Sequence, residues 1–376
     1  MVKSSRSLGH VKISYYLCMR YEIRRMLLNQ FDKRFPNEDS CIDYFRRIRE
    51  PALPHCPKCG SANYNWAAGK QDFECKECRH RIPLTKGTVM EYSKQPLRSW
   101  FYTMHLMTSI KQVLSAKEVQ HQLGMEQYPP VWLMMMKLRD IMGKRENIYQ
   151  LSGEVELDEA FFPTKLDDED RGKPLKRGAG SQRQTRVLVI AESKPIDNVL
   201  LEYLSRPKEN TNEKISALLK KAKGQSVKKV VHYIKMFVID DQKATTIDKI
   251  VGRNVSKFTT IVTDGSASHV NFEHDFQGHE AHIEENADEV VRNVLPWVHI
   301  IIGECRNGIA AIHKEVDKRF LQLYLNEYCW KFNRRFFRDS TDPRYDLFDR
   351  LVRIAAIYKS DIMWRDYTQM SEEEDI

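Results

Sequence analysis

The chain of 376 residues lacks any run of 18 apolar residues, about the length that a membrane-spanning helix requires. Its first residues, Met1 to Arg6, lead into mixed charged sequence, so the apolar stretch of a secretory signal is also missing. Internal repeats and low-complexity segments are absent too, which excludes repeat architectures. We therefore expect a soluble, cytoplasmic protein without a membrane partner.

The excess of positive over negative charge is small. Sixty Lys and Arg residues against 52 Asp and Glu residues leave a net charge of +8, which permits an anionic partner without demanding one. An apolar content of 41% is ordinary for folded protein, and the length suits two or three domains. Taken alone, a basic cluster is more often a solvated face than a binding site. Such clusters lie at 173–177, 183–186, 220–221, 228–229 and 333–335.

Cysteine is scarce, but four of the eight cysteines follow a pattern of paired knuckles: Cys56, Cys59, Cys75 and Cys78. Two residues separate the members of each pair, which lets a tight turn aim both sulfurs at one Zn²⁺ ion. Two disulfides or unrelated core thiols are the alternatives, and neither explains the paired spacing in a chain without a secretory signal. The site is structural, because four thiolates leave no open coordination position. Cys18, Cys41, Cys305 and Cys329 are scattered and are expected to be reduced, mostly buried thiols.

The first 150 residues divide into three expected parts. Residues 1–50 have the periodicity of short helices, and residues 51–92 hold the cysteines among short strands and turns, as a zinc ribbon requires. Residues 93–148 contain three helical stretches, the second headed by Ser115 and ended by Gly124. This order is typical of a helix-turn-helix, although a plain helical bundle would have the same pattern. On the helix-turn-helix interpretation Lys137 and Arg139 are candidate DNA contacts.

From about residue 150 the pattern changes to alternating strands and helices. Strands are predicted at 154–162, 186–191, 229–239 and 259–264, with a helix at about 243–251 before the last of them. After Pro296 the chain is mostly helical to about residue 335. This order predicts a mixed sheet in an α/β domain spanning 150–340, followed by a C-terminal tail at 341–376. The chain as a whole is thus predicted to be multidomain α+β.

Two carboxylates stand out in that domain. Asp158 lies inside an apolar strand, and Asp264 ends another strand immediately before Gly265. A buried carboxylate is costly unless something pairs it, and two that converge from neighbouring strands repel each other unless cations lie between them. Two Mg²⁺ or Mn²⁺ ions at such a site can serve phosphodiester chemistry. Either residue alone is about as well explained by a strand-end turn.

Several motifs, taken together in order and spacing, resemble one family. They are the run from Cys41 through Cys78, Gly87-Thr88, Pro96 to Trp100, Ser152 to Glu159, Thr263-Asp264-Gly265, and Leu321 through Arg335.

Over roughly residues 35–337 the chain is similar to bacterial insertion-sequence transposases of the zinc-ribbon, DDE-type group related to the eukaryotic Merlin elements. The resemblance implies an RNase H-like catalytic domain, two-metal DNA cleavage and joining, and binding of the terminal inverted repeats by the N-terminal modules. Asp158 and Asp264 match the first two catalytic positions. The third position in the family lies on a helix, seven residues before a Lys or Arg.

His299 precedes Arg306 by seven residues, so both share one helix face. Glu304 is the better Mg²⁺ ligand by chemistry but lies two residues from Arg306, on another face. We therefore expect Asp158, Asp264 and His299 at the Mg²⁺ or Mn²⁺ site, with Arg306 beside them and Glu304 as the alternative third residue.

The expected function is that of a DNA transposase that cuts the ends of an insertion sequence and joins them to target DNA. The partners are then double-stranded DNA, which places the protein on the nucleoid when bound, and a homodimer or larger synaptic assembly. Arg177, Arg334 and Arg335 are further candidate DNA contacts. Two alternatives stay open, a catalytically inert, domesticated DNA-binding regulator and a nuclease of the same fold that does not join strands.

Overall fold

In the computed structural model, residues 25–167, 170–195, 229–282, 295–334 and 346–367 are described. They fall into two compact units. The first, here called the N-terminal unit, comprises residues 25–145 and 346–367, and the second, the central unit, comprises the described residues from 146 to 334. None of the described helices is both long and apolar enough to cross a membrane.

A small antiparallel sheet in the N-terminal unit carries the cysteines. Its strands pair in the order β1-β2-β3, with Tyr64 opposite Cys75 and Phe73 opposite Ile82. Phe73 is fully buried and Ile82 nearly so, but the strands are too short to enclose a core of their own. The strands are β1 (Tyr64–Ala67), β2 (Asp72–Cys75) and β3 (Arg81–Pro83). The zinc-ribbon pattern of short strands and turns is confirmed.

The described part of the N-terminal unit also includes six longer helices: α1 (Leu28–Arg34), α2 (Glu38–Arg49), α3 (Leu97–Ser109), α4 (Ala116–Leu123), α5 (Tyr128–Glu146) and, from the C-terminal stretch, α10 (Leu347–Ile357). Buried aromatic rings form their core, with Phe348 5.6 Å from Phe101 and 5.8 Å from Phe31 between ring centroids. The stretch expected to be a tail therefore contains a helix. Its amphipathic apolar residues are buried by the N-terminal helices.

The caps expected around α4 are present. Ser115 accepts a hydrogen bond from the backbone of Glu118, and Gly124 ends the helix in the left-handed conformation at φ +62°. Helix α5 begins earlier than expected, so Pro129 and Pro130 lie in its first turn, where a missing N–H costs nothing. Two helices joined by a short turn are thus observed, and their use as a DNA-reading helix-turn-helix stays a prediction.

The central unit is built on a five-stranded mixed sheet in the order β6-β5-β4-β7-β8. Strand β5 is antiparallel to both of its neighbours, whereas β4, β7 and β8 are parallel. The strands are β4 (Leu151–Pro163), β5 (Gln184–Pro195), β6 (Lys229–Ile239), β7 (Val255–Thr263) and β8 (Gly278–Ala281). This confirms the mixed sheet that the RNase H-like resemblance implies.

Four helices complete the described part of the central unit: α6 (Ala244–Asn254), α7 (Phe272–Asp275), α8 (Pro296–Ala310) and α9 (Lys318–Asn333). Helix α9 packs along the edge strand β6, where Asn333 exchanges two 2.8 Å hydrogen bonds with the backbone of Ile234. Gln322 does the same for Val238 and Met236, at 2.8 and 3.0 Å. These amides satisfy backbone groups that an open edge would leave unpaired.

Candidate functional site

The four cysteines of the ribbon meet at one point. All four sulfurs lie within 4.8 Å of one another, and the Cys56–Cys78 and Cys59–Cys75 sulfur distances are each 3.5 Å. A tetrahedral zinc ion with Zn–S bonds of about 2.3 Å requires sulfurs about 3.8 Å apart. The sulfurs therefore fit a structural Zn²⁺ ion, and the family comparison below supports the same assignment.

The two knuckles repeat one backbone design. Gly60 donates a 2.8 Å hydrogen bond to the carbonyl of Cys56, and Arg79 donates a 3.0 Å hydrogen bond to the carbonyl of Cys75. The residue after each second cysteine is left-handed, at φ +75° for Gly60 and +61° for Arg79. Both turns therefore curl in the same way and aim their two sulfurs at a common point, as the paired spacing predicts.

In the central unit the sheet register brings the two aspartates together. Strands β4 and β7 run parallel with Glu156 opposite Val262, so Asp158 lies level with Asp264, which follows the last residue of β7. The Asp158 carboxylate accepts a 2.8 Å hydrogen bond from the Glu159 backbone, and Asp264 accepts one of 3.0 Å from the Ser266 backbone. Each carboxylate keeps an oxygen without these backbone contacts, which is the kind of ligand that Mg²⁺ and Mn²⁺ prefer.

Helix α8 completes this centre along one face of β4. The imidazole Nε2 of His299 is 3.6 Å from an oxygen of Asp158. Two turns further along the helix, the Arg306 guanidinium lies 5.3 Å from the ring centre of Phe162, which shares a strand face with Asp158. The seven-residue spacing therefore places both side chains over β4. Glu304 lies five residues beyond His299, about 140° around the helix.

The charges of this centre perturb one another. Burial, together with the negative charges of Asp264 and Glu159, raises the pKa of Asp158 to about 7. Burial lowers the pKa of His299, an effect that Asp264 opposes and Arg306 reinforces. Near neutral pH the imidazole therefore has a free nitrogen lone pair, and the two carboxylates are a pair that a cation would stabilise.

A buried histidine links the two strands from the other side. His269, fully buried, has its Nε2 3.0 Å from an oxygen of Glu159 and its Nδ1 3.6 Å from an oxygen of Asp264. Phe272 stacks on its ring, with the centroids 5.5 Å apart. The Asp264 carboxylate therefore lies beside a rigidly held imidazole as well as its own turn.

Comparison with protein families matches two regions of the chain. Residues 36–81 match a transposase zinc-ribbon domain, and residues 150–333 match an ISXO2-like transposase domain of the DDE type. The chain belongs to the insertion-sequence transposases of the zinc-ribbon DDE group. The comparisons with curated proteins and with solved structures found no match. The zinc ribbon of this transposase is the four-cysteine sheet, and its DDE domain is the central unit.

The basic residues expected to contact DNA differ in exposure. Arg177 is exposed in the connection between β4 and β5, and Arg335 lies outside the described residues. Arg139 is 1% exposed and donates a 3.1 Å hydrogen bond to the carbonyl of Leu114, and Lys137 is 8% exposed. These two side chains do not present their charge to solvent, so the geometry gives their predicted DNA contacts no support. Helix α5 is buried along most of its length, and these two basic residues are buried with it.

Arg334 also faces inward. It is 5% exposed, lies 2.6 Å from a carboxylate oxygen of Glu146 and covers the ring of Trp330 at 4.4 Å. The guanidinium also donates a 2.9 Å hydrogen bond to the carbonyl of Trp330, so its donors are engaged within the central unit. The geometry therefore gives a DNA contact by Arg334 no support either.

Three residues at or beside the candidate centre were not identified from the sequence: Glu156, Glu159 and His269. Both glutamates flank Asp158 in the run Glu156-Leu157-Asp158-Glu159, and three carboxylates in one buried strand are a signal that could have identified them. His269 offers no comparable signal, because its contacts with Glu159 and Asp264 depend on how the chain folds after β7.

We expect the central unit to lose stability as the pH rises from about 4 to about 7 when no Mg²⁺ or Mn²⁺ is added. The pKa of Asp158 is raised from 3.8 to about 7, so the folded chain keeps a proton that the unfolded chain has lost. This stabilisation is complete below the unfolded pKa and disappears as the pH passes the folded value, a change on the order of a few kcal/mol.

Thermal melting across this pH range tests the expectation. The variant Asp158→Asn carries no titrating group at this position, so its melting temperature should depend less on pH than that of the wild type. A wild-type melting temperature that depends on pH no more steeply than that of Asp158→Asn would contradict the raised pKa of Asp158.

Proposed function

We propose that this transposase binds the terminal inverted repeats of its element, cuts one strand at each end and joins the freed 3′ ends to target DNA. The observation that carries the proposal is the convergence of Asp158, Asp264, His299 and Arg306 at one place in the DDE domain. The sheet register brings the first two together, and one face of α8 supplies the other two.

Asp158, Asp264 and His299 are the residues that would hold Mg²⁺ or Mn²⁺. The aspartates offer hard oxygen ligands, and the lowered pKa of His299 leaves its imidazole neutral and able to bind through nitrogen. Bound there, two divalent ions would supply the chemistry common to such centres, activation of a hydroxyl and stabilisation of the leaving oxygen. The donor set fits this role, because a cation relieves the repulsion between the carboxylates.

Arg306 supplies a fixed positive charge beside the carboxylates. Its guanidinium is near enough to Asp158 for the two charges to interact, and it packs over the ring of Phe162. Arginine is suited to phosphate because its planar group donates several hydrogen bonds at once. We assign it to the phosphate at the scissile bond.

The reaction has two displacements at phosphorus. In the first, the oxygen of water forms a bond to the phosphorus and the 3′ oxygen leaves and takes up a proton. In the second, the oxygen of that 3′ hydroxyl forms a bond to a phosphorus of target DNA, the P–O3′ bond of the target strand breaks, and the proton of the hydroxyl passes to the leaving 3′ oxygen. The protein itself forms no covalent bond, so it contributes position and charge. Both element ends must be held together, which requires a homodimer or a larger synaptic assembly.

A cleavage and strand-transfer assay tests the proposal. Purified protein is incubated with labelled element-end DNA, a target plasmid and Mg²⁺ or Mn²⁺, once with intact ends and once with pre-cut 3′ hydroxyl ends. Cutting followed by joining is the expected result. Cutting without joining of pre-cut ends identifies a nuclease, and binding without cutting identifies an inert regulator.

The third ligand is tested by two substitutions on α8. We expect His299→Ala to reduce cleavage nearly as much as loss of an aspartate, because its imidazole faces Asp158. Glu304→Ala should keep much of the activity, since its side chain leaves the helix in another direction. Initial cleavage rates at saturating end DNA provide the measurement. The reverse order of activities would make Glu304 the third ligand.

A further inference from the structure

The helix that carries His299 is anchored from a distant strand. Glu156 on β4 accepts hydrogen bonds from two consecutive backbone N–H groups at the start of α8, those of Trp297 at 2.8 Å and Val298 at 3.0 Å. One oxygen, Oε2, accepts both. Because 141 and 142 positions separate the partners in sequence, this contact fixes the helix to the sheet and not to its own preceding turn.

Helix α8 has no cap of its own. The residue at its N-cap position is Leu295, whose side chain cannot accept a hydrogen bond, and Pro296 follows in the first turn. The first N–H groups of a helix need an external acceptor when they are buried. Glu156 fills that need while only 4% exposed. Without it, two buried N–H groups lose their acceptor, which costs free energy and loosens the first turn of the helix.

The contact between Glu156 and the N–H groups of Trp297 and Val298 lies next to a candidate metal ligand on the strand and next to another on the helix. On the strand, Glu156 and Asp158 are two residues apart and point to the same face. On the helix, Val298 is the residue immediately before His299. The rotation of α8 about its axis therefore determines where the imidazole points, and the Glu156 contact fixes that rotation within one residue of His299.

Both hydrogen bonds from α8 are accepted by one oxygen of Glu156, Oε2. An amide oxygen can accept hydrogen bonds as a carboxylate oxygen does. A neutral side chain of the same length, glutamine, should therefore be able to replace Glu156.

We propose that Glu156 is a positioning residue of the transposition centre, which sets the direction of His299 toward Asp158 by holding the first turn of α8. The inference rests on the proposed function, since it assigns a role in the same centre. Glu156 itself does not touch the reacting atoms. It acts through the helix.

Two substitutions distinguish the need for an acceptor oxygen at this distance from the need for a negative charge. Glu156→Gln keeps the length and an acceptor oxygen but removes the ionisable group. Glu156→Asp keeps the carboxylate but is one methylene shorter, so it falls short of the Trp297 and Val298 N–H groups. Glu154→Asp is the matched control, because Glu154 lies one repeat earlier on the same strand face and contacts Lys229 instead of α8.

The expected result is a selective loss in one variant. At saturating end DNA, Glu156→Asp should cleave about 10 to 100 times more slowly than the wild type. This is the range found when a group that orients a metal ligand is lost. Its affinity for end DNA should be unchanged. Glu156→Gln and Glu154→Asp should cleave within a few-fold of the wild type.

A second measurement does not depend on cleavage. The ¹⁵N chemical shifts of the His299 imidazole, assigned by their absence in His299→Gln, should move in Glu156→Asp and stay in place in the other two variants. Equal activity and equal His299 shifts in Glu156→Asp and wild type would overturn the inference. So would a Glu156→Gln variant as impaired as Glu156→Asp. A wild type without cleavage but with the expected shift pattern would instead overturn the proposed function alone.

Discussion

Asp158→Asn and Asp264→Asn should each abolish cleavage of element ends while leaving end binding intact. The change removes a charged oxygen ligand of the candidate metal site but keeps the volume of the side chain and its place on the sheet. Metal ions at such centres supply several kcal/mol of transition-state stabilisation, so we expect a loss of about 10³-fold or more in the cleavage rate. Initial rates with Mg²⁺ and with Mn²⁺ at saturating end DNA measure it.

The fold is expected to survive both substitutions. At Asp158, burial and the charge of Asp264 already disfavour the ionised form, so a neutral amide relieves repulsion at little structural cost. Asp240→Asn is a suitable control, because Asp240 is an exposed carboxylate of the same unit, directly after β6. A variant of Asp158 or Asp264 that cuts at a rate within a few-fold of the wild type would refute their assignment as metal ligands.

Part of the candidate centre could be predicted from local patterns. A carboxylate inside an apolar strand and another at a strand end drew attention to Asp158 and Asp264, because strand periodicity can be read over a few residues. His299 and Arg306 became candidates through the family resemblance; helix periodicity put them on one face of α8, and in the structure that face lies over β4. The mixed sheet followed from the order of strands and helices, together with the family resemblance.

Burial and long-range contacts could not be predicted from such local patterns. The sequence alone suggests that Lys137 and Arg139 are surface charges. In the structure most of α5 is buried, and both side chains are buried with it. The partners of Glu156 lie more than a hundred positions away, and no local rule predicts which helix start a strand carboxylate will meet. The helix at Leu347–Ile357 was missed because a short amphipathic segment near an acidic terminus resembles a solvated tail.

Cys75→Ser should remove zinc from the ribbon and with it specific binding of element ends. The strands β1 to β3 are three or four residues long, and Phe73 and Ile82 are their main buried apolar side chains. So small a core cannot order the segment alone, whereas a structural zinc site contributes about 10 to 16 kcal/mol in small finger peptides. We expect one zinc ion per wild-type chain, measured by metal analysis, and rapid proteolysis within residues 56–83 of the variant.

Cys41→Ser is the matched control, since Cys41 is a fully buried thiol of the same unit that lies on α2, outside the cysteine cluster. It should keep its zinc and its affinity for end DNA, although some stability is lost with the buried thiol. End binding by Cys75→Ser at wild-type affinity would show that the ribbon does not recognise the element ends, and zinc-free wild-type protein would refute the metal assignment itself.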